Sequence, residues 1–217
     1  MLILNNVLEV GFLGNIIGNN HVIELPAIRR IPSETGARFR CAPFFVDQIN
    51  VTQDAETLGW DATETFLATA SDDGLVRVYE LVNNSLNFVT SIATGGAAID
   101  GVGQVAWHPT QSILALARES GSAQVWTFNF NGSTLTTISS IGLAAAGRAC
   151  AWHPSGDFLA VGSLVTGGEV RIYPVNSSGV INAAGVVTFN ITPNRTIQYE
   201  ALSWDKNGDY LAVGLLT

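Results

Sequence analysis

The sequence predicts an all-β chain built from one repeated unit, on two observations. Four tryptophan-centred segments recur: Trp60-Asp61, Trp107-His108-Pro109, Trp152-His153-Pro154 and Trp204-Asp205. Each is followed by a polar turn and a small-residue apolar run: Phe66-Leu67-Ala68-Thr69-Ala70, Ile113-Leu114-Ala115-Leu116-Ala117, Phe158-Leu159-Ala160-Val161-Gly162 and Tyr210-Leu211-Ala212-Val213-Gly214. The Trp-to-Trp steps are 47, 45 and 52 residues, at or just above the roughly 40–50-residue periods of propeller blades. A helical solenoid of that period would space its apolar residues by 3.6, whereas these runs are short, β-branched or aromatic, and bounded by Gly, Asn, Asp and Ser.

The elements follow in order. In the first fifty residues, strands are expected at His21–Ile28 and Ala37–Ile49, joined by a turn over Pro32–Gly36. The second repeat is the clearest unit. Gln104–Trp107 is its inner strand, Ile113–Ala117 the next, Ala123–Phe128 the third, and Thr134–Ile141 a more polar outer strand. Turns at His108–Ser112, Arg118–Ser122 and Asn129–Ser133 supply the Asn-Gly and Ser-Gly pairs that tight hairpins need. Small residues suit the second strand because strands crowd near a propeller axis, and the Trp and Phe side chains fill the space between blades. Units begin near Thr57, Val102, Gly147 and Gln198, the last reaching the end of its second strand at Thr217. About three and a half four-stranded blades are therefore expected, preceded by a non-repeat arm. Since propellers close with four to eight blades, the favoured expectation is that further blades follow Thr217. Completion of the ring by a homo-oligomer, or an unusual role for the first fifty residues, are the other readings.

Trp60-Asp61 through Leu67-Ala68-Thr69-Ala70-Ser71-Asp72-Asp73-Gly74-Leu75-Val76-Arg77-Val78-Tyr79 resembles the strand, Ser-x-Asp-Gly turn, strand core of the WD40 family of β-propellers. Trp152-His153-Pro154-Ser155-Gly156-Asp157-Phe158-Leu159-Ala160-Val161-Gly162 is similar to that family's aromatic, x, Pro, x, Gly signature. The resemblance spans about Asp54 to Thr217 and implies a WD40-like β-propeller. There are departures. No Gly-His pair precedes the inner strands, and the Trp-Asp dipeptide expected after the third strand is read as Tyr79-Glu80, Trp126-Thr127 and Tyr173-Pro174. Of the polar network this dipeptide supports in the family, only Asp73 stands at its turn position. The structural repeat residues are Trp60, Asp73, Trp107, Trp126, Trp152 and Trp204.

Charge divides the chain. Residues 1–50 balance four acids against four arginines, so the net charge of −8 resides in residues 51–217. Such asymmetry suggests an acidic repeat body with a separate N-terminal arm. The arm either packs on the propeller as a closing strand or cap, or docks another protein through Arg29, Arg30, Arg38, Phe39 and Arg40. Nucleic acid is not an expected partner, because binding a phosphate backbone draws on Lys and Arg and the repeat region is acidic. With 47% hydrophobic and 13% charged residues, much of the surface is expected to be covered by neighbours. Met1–Gly18 is interrupted by Asn5, Asn6, Glu9 and Asn15 and lacks a basic start and a cleavage site, so no signal peptide is read. No run is long enough to cross a bilayer as a helix, and the compartment stays open between cytoplasm and virion.

No residue set points to catalysis, a cofactor or a metal. His108 and His153 occupy equivalent repeat positions, which argues for turn capping, and with His21 they lack zinc-ligand spacing. Asp72 and Asp73 precede Gly74 in a hairpin turn, where Asp bonds its own backbone. Asp100, Glu119 and Glu169 fall near loops without a pattern that makes them converge. Gly101-Val102-Gly103 is too short for a phosphate-cradling loop and leads into a strand. Cys41 and Cys150 are too few for a disulfide framework, and Cys150 is expected as a buried thiol. The expected function is a non-enzymatic protein–protein interaction and assembly platform. A virion or appendage protein, such as a phage tail or fibre component anchored by its arm, is the alternative, and a propeller hydrolase or lactonase using rim acids such as Asp100 or Glu169 comes third.

Overall fold

Strands pair only with their sequence neighbours throughout the described residues, so every sheet is a meander. The computed structural model describes residues 21–31, 40–51, 55–95, 102–121, 123–165, 168–191 and 196–216. Three four-stranded antiparallel blades are present. Blade I comprises β3 (Ala55–Trp60), β4 (Phe66–Ser71), β5 (Leu75–Val82) and β6 (Ser85–Ala93). Blade II comprises β7 (Val102–Trp107), β8 (Ile113–Arg118), β9 (Val125–Phe130) and β10 (Leu135–Ile141). Blade III comprises β11 (Gly147–Trp152), β12 (Phe158–Ser163), β13 (Val170–Pro174) and β14 (Val187–Phe189), with a 3-10 turn at Ala183–Gly185 capped by Asn182. Blade IV contributes two strands, β15 (Thr196–Trp204) and β16 (Leu211–Leu216). The N-terminal hairpin is β1 (His21–Ile31), longer than expected, with β2 (Arg40–Val51), which runs two residues past its expected end; the turn expected at Pro32–Gly36 and the expected strand start at residues 37–39 lie outside the described residues.

The register is the same in every blade. Trp60, Trp107, Trp152 and Trp204 sit opposite Leu67, Leu114, Leu159 and Leu211, and each inner strand carries a register shift near its start. One reading of the third strands is corrected by this register. Leu67, Leu114 and Leu159 pair with Tyr79, Phe128 and Tyr173. The equivalent of Tyr79-Glu80 in blade II is therefore Phe128-Asn129, not Trp126-Thr127. Trp126 stands at the position held by Arg77 and Arg171, where its ring stacks on Phe128 at 6.0 Å and its Nε1 donates to the Ala123 carbonyl at 3.0 Å.

Packing follows from the period-2 alternation of side chains. One face of β4 and β5, with Ala68, Ala70, Val76 and Val78, meets Val105, Trp107, Leu114, Leu116, Phe128 and Phe130 of blade II. The other face of blade II meets Cys150, Trp152, Leu159, Val161 and Tyr173 of blade III. Ala149, Ala160 and Val170 meet Ile197, Leu202, Trp204 and Leu211 of blade IV. The small side chains accept the large ones of the next blade, so the core lies between blades and not within any one of them. The hairpin covers part of the remaining face of blade I, where Ile49 packs with Leu67, Tyr79 and Leu86. Asp47 fastens it, accepting from Ser85 Oγ (3.0 Å) and Leu86 N (2.7 Å) of β6. These bonds, that from the Leu86 amide foremost, lower the Asp47 pKa.

Candidate binding surface at the inner strands

The repeated tryptophans bind each blade to the one before it. Trp107 Nε1 donates to the Gly59 carbonyl (3.0 Å), Trp152 Nε1 to Ala106 (3.0 Å) and Trp204 Nε1 to Ala151 (3.3 Å). In each case the acceptor is the residue just before the tryptophan of the preceding blade. Trp107 and Trp152 are only 8% exposed, so each indole combines a large buried apolar ring with a satisfied donor. A second stitch runs along the same strands. Val105 N donates to Thr57 Oγ1 (3.2 Å) and Cys150 N to Gln104 Oε1 (3.0 Å), with Thr57 and Gln104 at one register position of successive blades.

The histidines cap turns, as their repetition predicts, and also bridge blades, which the sequence does not disclose. His108 Nδ1 accepts from Thr110 N and Gln111 N, both at 3.1 Å. The ring proton therefore sits on Nε2, which donates to the Gly156 carbonyl in the next blade (3.2 Å). His153 repeats the arrangement, with Ser155 N on Nδ1 (3.1 Å) and Nε2 at 3.2 Å from the Gly208 carbonyl. Both rings also meet the next tryptophan edge-on, with centroids 4.8 Å apart in His108–Trp152 and in His153–Trp204. Glycine is required where the ring arrives. A Cβ on Gly156 or Gly208 would lie 2.2 or 2.0 Å from the histidine Nε2, and both residues have φ of +82°. Burial lowers the His108 pKa, against the weaker raising effect of the bond to Gly156. In blades I and IV aspartate holds the turn instead. Asp61 accepts from Thr65 N (2.9 Å) and Phe66 N (2.8 Å), and Asp205 accepts from Tyr210 N (2.8 Å), a bond that leads in lowering its pKa.

Charged residues near the turns are engaged locally. Asp73 Oδ1 accepts from Leu75 N (3.0 Å) and Ser71 Oγ (2.8 Å), and its carboxylate pairs with Arg77. Blade II places Arg118 at the Ser71 position. Arg118 is 1% exposed and donates through Nη1 to Thr94 O (2.6 Å) and Oγ1 (2.9 Å), tying blade II to the end of blade I. Glu119 lies 2.9 Å from Arg148 Nε, and Glu169 Oε2 accepts from Gly168 N (3.2 Å) and Ile191 N (3.0 Å). Both acids thus serve loops, while Asp100 lies outside the described residues. Among the described residues no group of three or more His, Cys, Asp or Glu side chains could hold a metal ion, and no helix is long and apolar enough to cross a membrane.

What the inner strands do form is a cleft. Strands β7, β11 and β15 wall a space of about 390 Å³, with Pro109, Pro154 and Lys206 at its turns and parts of Trp107, Trp152 and Trp204 in its lining. Lys206 is the only lysine of the chain. The hairpin arginines lie elsewhere. Arg29 pairs in register with Ala42, Arg30 with Cys41 and Arg40 with Ile31, at the opposite end of the hairpin from Asp47, which pairs with Leu25. Arg38 and Phe39 lie outside the described residues.

Meandering four-stranded blades stacked through one face each, with a Trp at a fixed register, define a WD40-type β-propeller. The WD domain, G-beta repeat family matches residues 52–80, and the anaphase-promoting complex subunit 4 WD40 domain matches residues 105–193. The chain belongs to the WD40 repeat family. Ribosome biogenesis protein ERB1 of Malassezia globosa is 40% identical over 68 residues, which cover 28% of this chain and 8% of that protein. The chain thus spans a small part of this curated relative's length. Among solved structures, a chain of the COPII outer-coat vertex on membranes aligns with a TM-score of 0.65 and 15% identity, covering 94% of this chain and 52% of that one. A Bacteroides fragilis protein assigned as a 6-phosphogluconolactonase aligns with a TM-score of 0.54 and 17% identity, over 61% of this chain and 38% of that one. These structural likenesses are of fold. The comparisons and the fold agree on a WD40-type β-propeller; they lend no support to a virion or tail-fibre component.

Proposed function

We propose that the chain is a non-enzymatic assembly platform that holds a partner protein over the cleft between β7, β11 and β15. The observation that carries this reading is the cleft's construction. Its walls are inner strands locked by indole–carbonyl and side-chain–amide bonds, so they present a fixed surface and ordering it on binding costs little entropy. Its lining combines the half-buried Pro109, Pro154 and Trp204 with Ser203, Asp205 and the exposed Lys206, chemistry suited to an extended peptide segment with an acidic residue facing Lys206.

The hairpin supplies a second contact in this proposal. Five residues separate Arg30 from Leu25, the partner of Asp47, which sets the arginine end about 17 Å beyond the fastening point at strand rise. Arg29, Arg30 and Arg40 belong to β1 and β2 at that end, and with Arg38 and Phe39 of the intervening sequence they make a basic segment in a chain whose net charge of −8 resides in residues 51–217, suited to an acidic protein surface. Affinity purification under native conditions tests both contacts. A stoichiometric partner should be retained by the wild type, weakened by Lys206→Glu, and weakened independently by Arg29→Glu with Arg30→Glu. Equal retention by all three proteins would refute the proposed surface.

A further inference from the structure

Each inner strand lies at the edge of its sheet, and in blades II and III side chains of the preceding blade close that edge. Asp205 N donates to Tyr210 O at 2.9 Å, so antiparallel alternation leaves Trp204 and Leu202, opposite Leu211 and Val213, in non-hydrogen-bonded pairs. Their amides therefore point away from β16, to the inner edge of β15. The same alternation from His108 N and His153 N, which donate to Ile113 O and Phe158 O, puts the amides of Val105 and Cys150 on the inner edges of β7 and β11. Those two are capped: Val105 N donates to Thr57 Oγ1 and Cys150 N to Gln104 Oε1.

Leu202 stands at the same register position and lacks the cap. Thr57 and Gln104 pair with Ala70 and Ala117, and the residue at their place in blade III is Ala149, opposite Gly162. Alanine carries no acceptor, and Leu202 N has none among the described residues. Leu202 is 5% exposed and lines the cleft. A buried backbone N–H left without an acceptor is rare and costly, and an unpaired strand edge is a template for an added strand. The rest of the lining also donates. Gln104 Oε1 is engaged by Cys150 N, which leaves the Nε2 protons of a fixed carboxamide without a partner among the described residues. Lys206 adds a cation, whereas the carboxylate of Asp205, the only acid in the lining, is taken up by Tyr210 N and Asn207 N.

We infer that the partner adds a strand to β15: an extended acidic segment of the partner protein lies along the inner edge of β15, its main-chain carbonyls accepting from Leu202 N and Trp204 N. The inference rests on the cleft being the partner site. Strands β7 and β11 do not compete for the segment, because Thr57 and Gln104 already occupy Val105 N and Cys150 N. Gln104 Nε2, held beside Cys150, supplies a further donor at the level of Leu202. Lys206 lies four residues beyond Leu202, about 13 Å at strand rise. The acidic side chain of the segment therefore stands about four residues from the one bound to Leu202 N.

Amide hydrogen exchange and one substitution test this on the 217-residue chain and on the native assembly retained by affinity purification. In the free chain the Leu202 amide should exchange faster than those of Val105 and Cys150, and in the assembly it should become protected together with that of Trp204. Ala149→Ser supplies in blade III the hydroxyl that Thr57 supplies in blade I. It should slow Leu202 exchange in the free chain and weaken partner binding by about fivefold or more, with unchanged far-ultraviolet circular dichroism. Leu202 exchange that assembly leaves unchanged, or full-strength binding by a folded Ala149→Ser chain, would overturn the edge pairing; if Lys206→Glu still weakens the assembly, the cleft reading survives. An assembly indifferent to Lys206→Glu and to Ala149→Ser alike would overturn that reading and this inference with it. Should Ala149→Ser fail to fold, the exchange comparison on the wild type decides alone.

Discussion

Replacing Gly156 by alanine isolates the contact between blades II and III. Gly156 has φ of +82°, and an added Cβ would stand 2.2 Å from His108 Nε2 and 2.3 Å from Cε1. The backbone conformation alone costs an alanine roughly 1–2 kcal/mol. Displacing the ring forfeits its bond to the Gly156 carbonyl, worth about 1 kcal/mol. Its edge-on contact with Trp152 adds about 1 kcal/mol beyond buried area. The expected loss is therefore about 3–4 kcal/mol. Gly132 provides the control, with φ of +92° and nothing within 4 Å of its added Cβ. Gly132→Ala should show only the backbone part, leaving a difference of about 2 kcal/mol. Urea unfolding followed by tryptophan fluorescence reads both values. In a His108→Ala background, the excess penalty at Gly156 should largely disappear. Penalties at Gly156 and Gly132 that agree within about 0.5 kcal/mol would refute the histidine bridge.

Other outcomes follow from the same geometry. His108 is held neutral by burial and has a lowered pKa, so the unfolded chain binds more protons in the interval below its ordinary value of about 6.5. His108 thus contributes stability that is fully present above about pH 6.5 and is lost as pH falls through the lowered value; His108→Asn should flatten that slope in pH-dependent unfolding. Trp107→Ala and Trp152→Ala should each cost roughly 3–5 kcal/mol as truncations of buried aromatics, and a loss under about 1 kcal/mol at both would contradict inter-blade packing. Arg118→Met leaves Thr94 O and Oγ1 without their donor and should cost about 2 kcal/mol in thermal or urea unfolding. Asp47→Ala removes the carboxylate that holds Leu86 N and Ser85; the hairpin should then be cut by protease faster than the blades, and an unchanged cleavage rate would contradict its fastening role.

The repeat was legible because each blade places a tryptophan at one register position and small residues opposite the next blade. That pattern is local, so Trp107, Ile113–Ala117 and the turns between them could be assigned from the chain alone. The third strand of blade II was misread for a physical reason. Trp126 looks like the missing repeat aromatic, but two-residue periodicity places Phe128 opposite Leu114, and only pairing decides between them. The histidine bridge left a signal that went unused, namely a glycine in the following blade opposite each Trp-His pair and Gln111 opposite Asp61. Arg118 could not be found by pattern. An arginine at a strand end reads as a surface residue, and its burial depends on Thr94, which a strand-by-strand reading does not bring near it. That Trp60 Nε1, unlike the indoles of Trp107, Trp152 and Trp204, has no hydrogen-bond partner among the described residues likewise emerges only when the blades are stacked.

Lys206 makes the most direct test of the platform available. As the only lysine in the chain, at the turn of the inner-strand cleft, it gives amine-reactive cross-linking within the protein's native assembly a single internal reporter. The account predicts that mass spectrometry will find Lys206 joined to a different protein, and that prior occupation of the cleft by a peptide from that protein will suppress the link. A native assembly that stays intact while Lys206 joins to no other protein would contradict the claim that the cleft carries the partner.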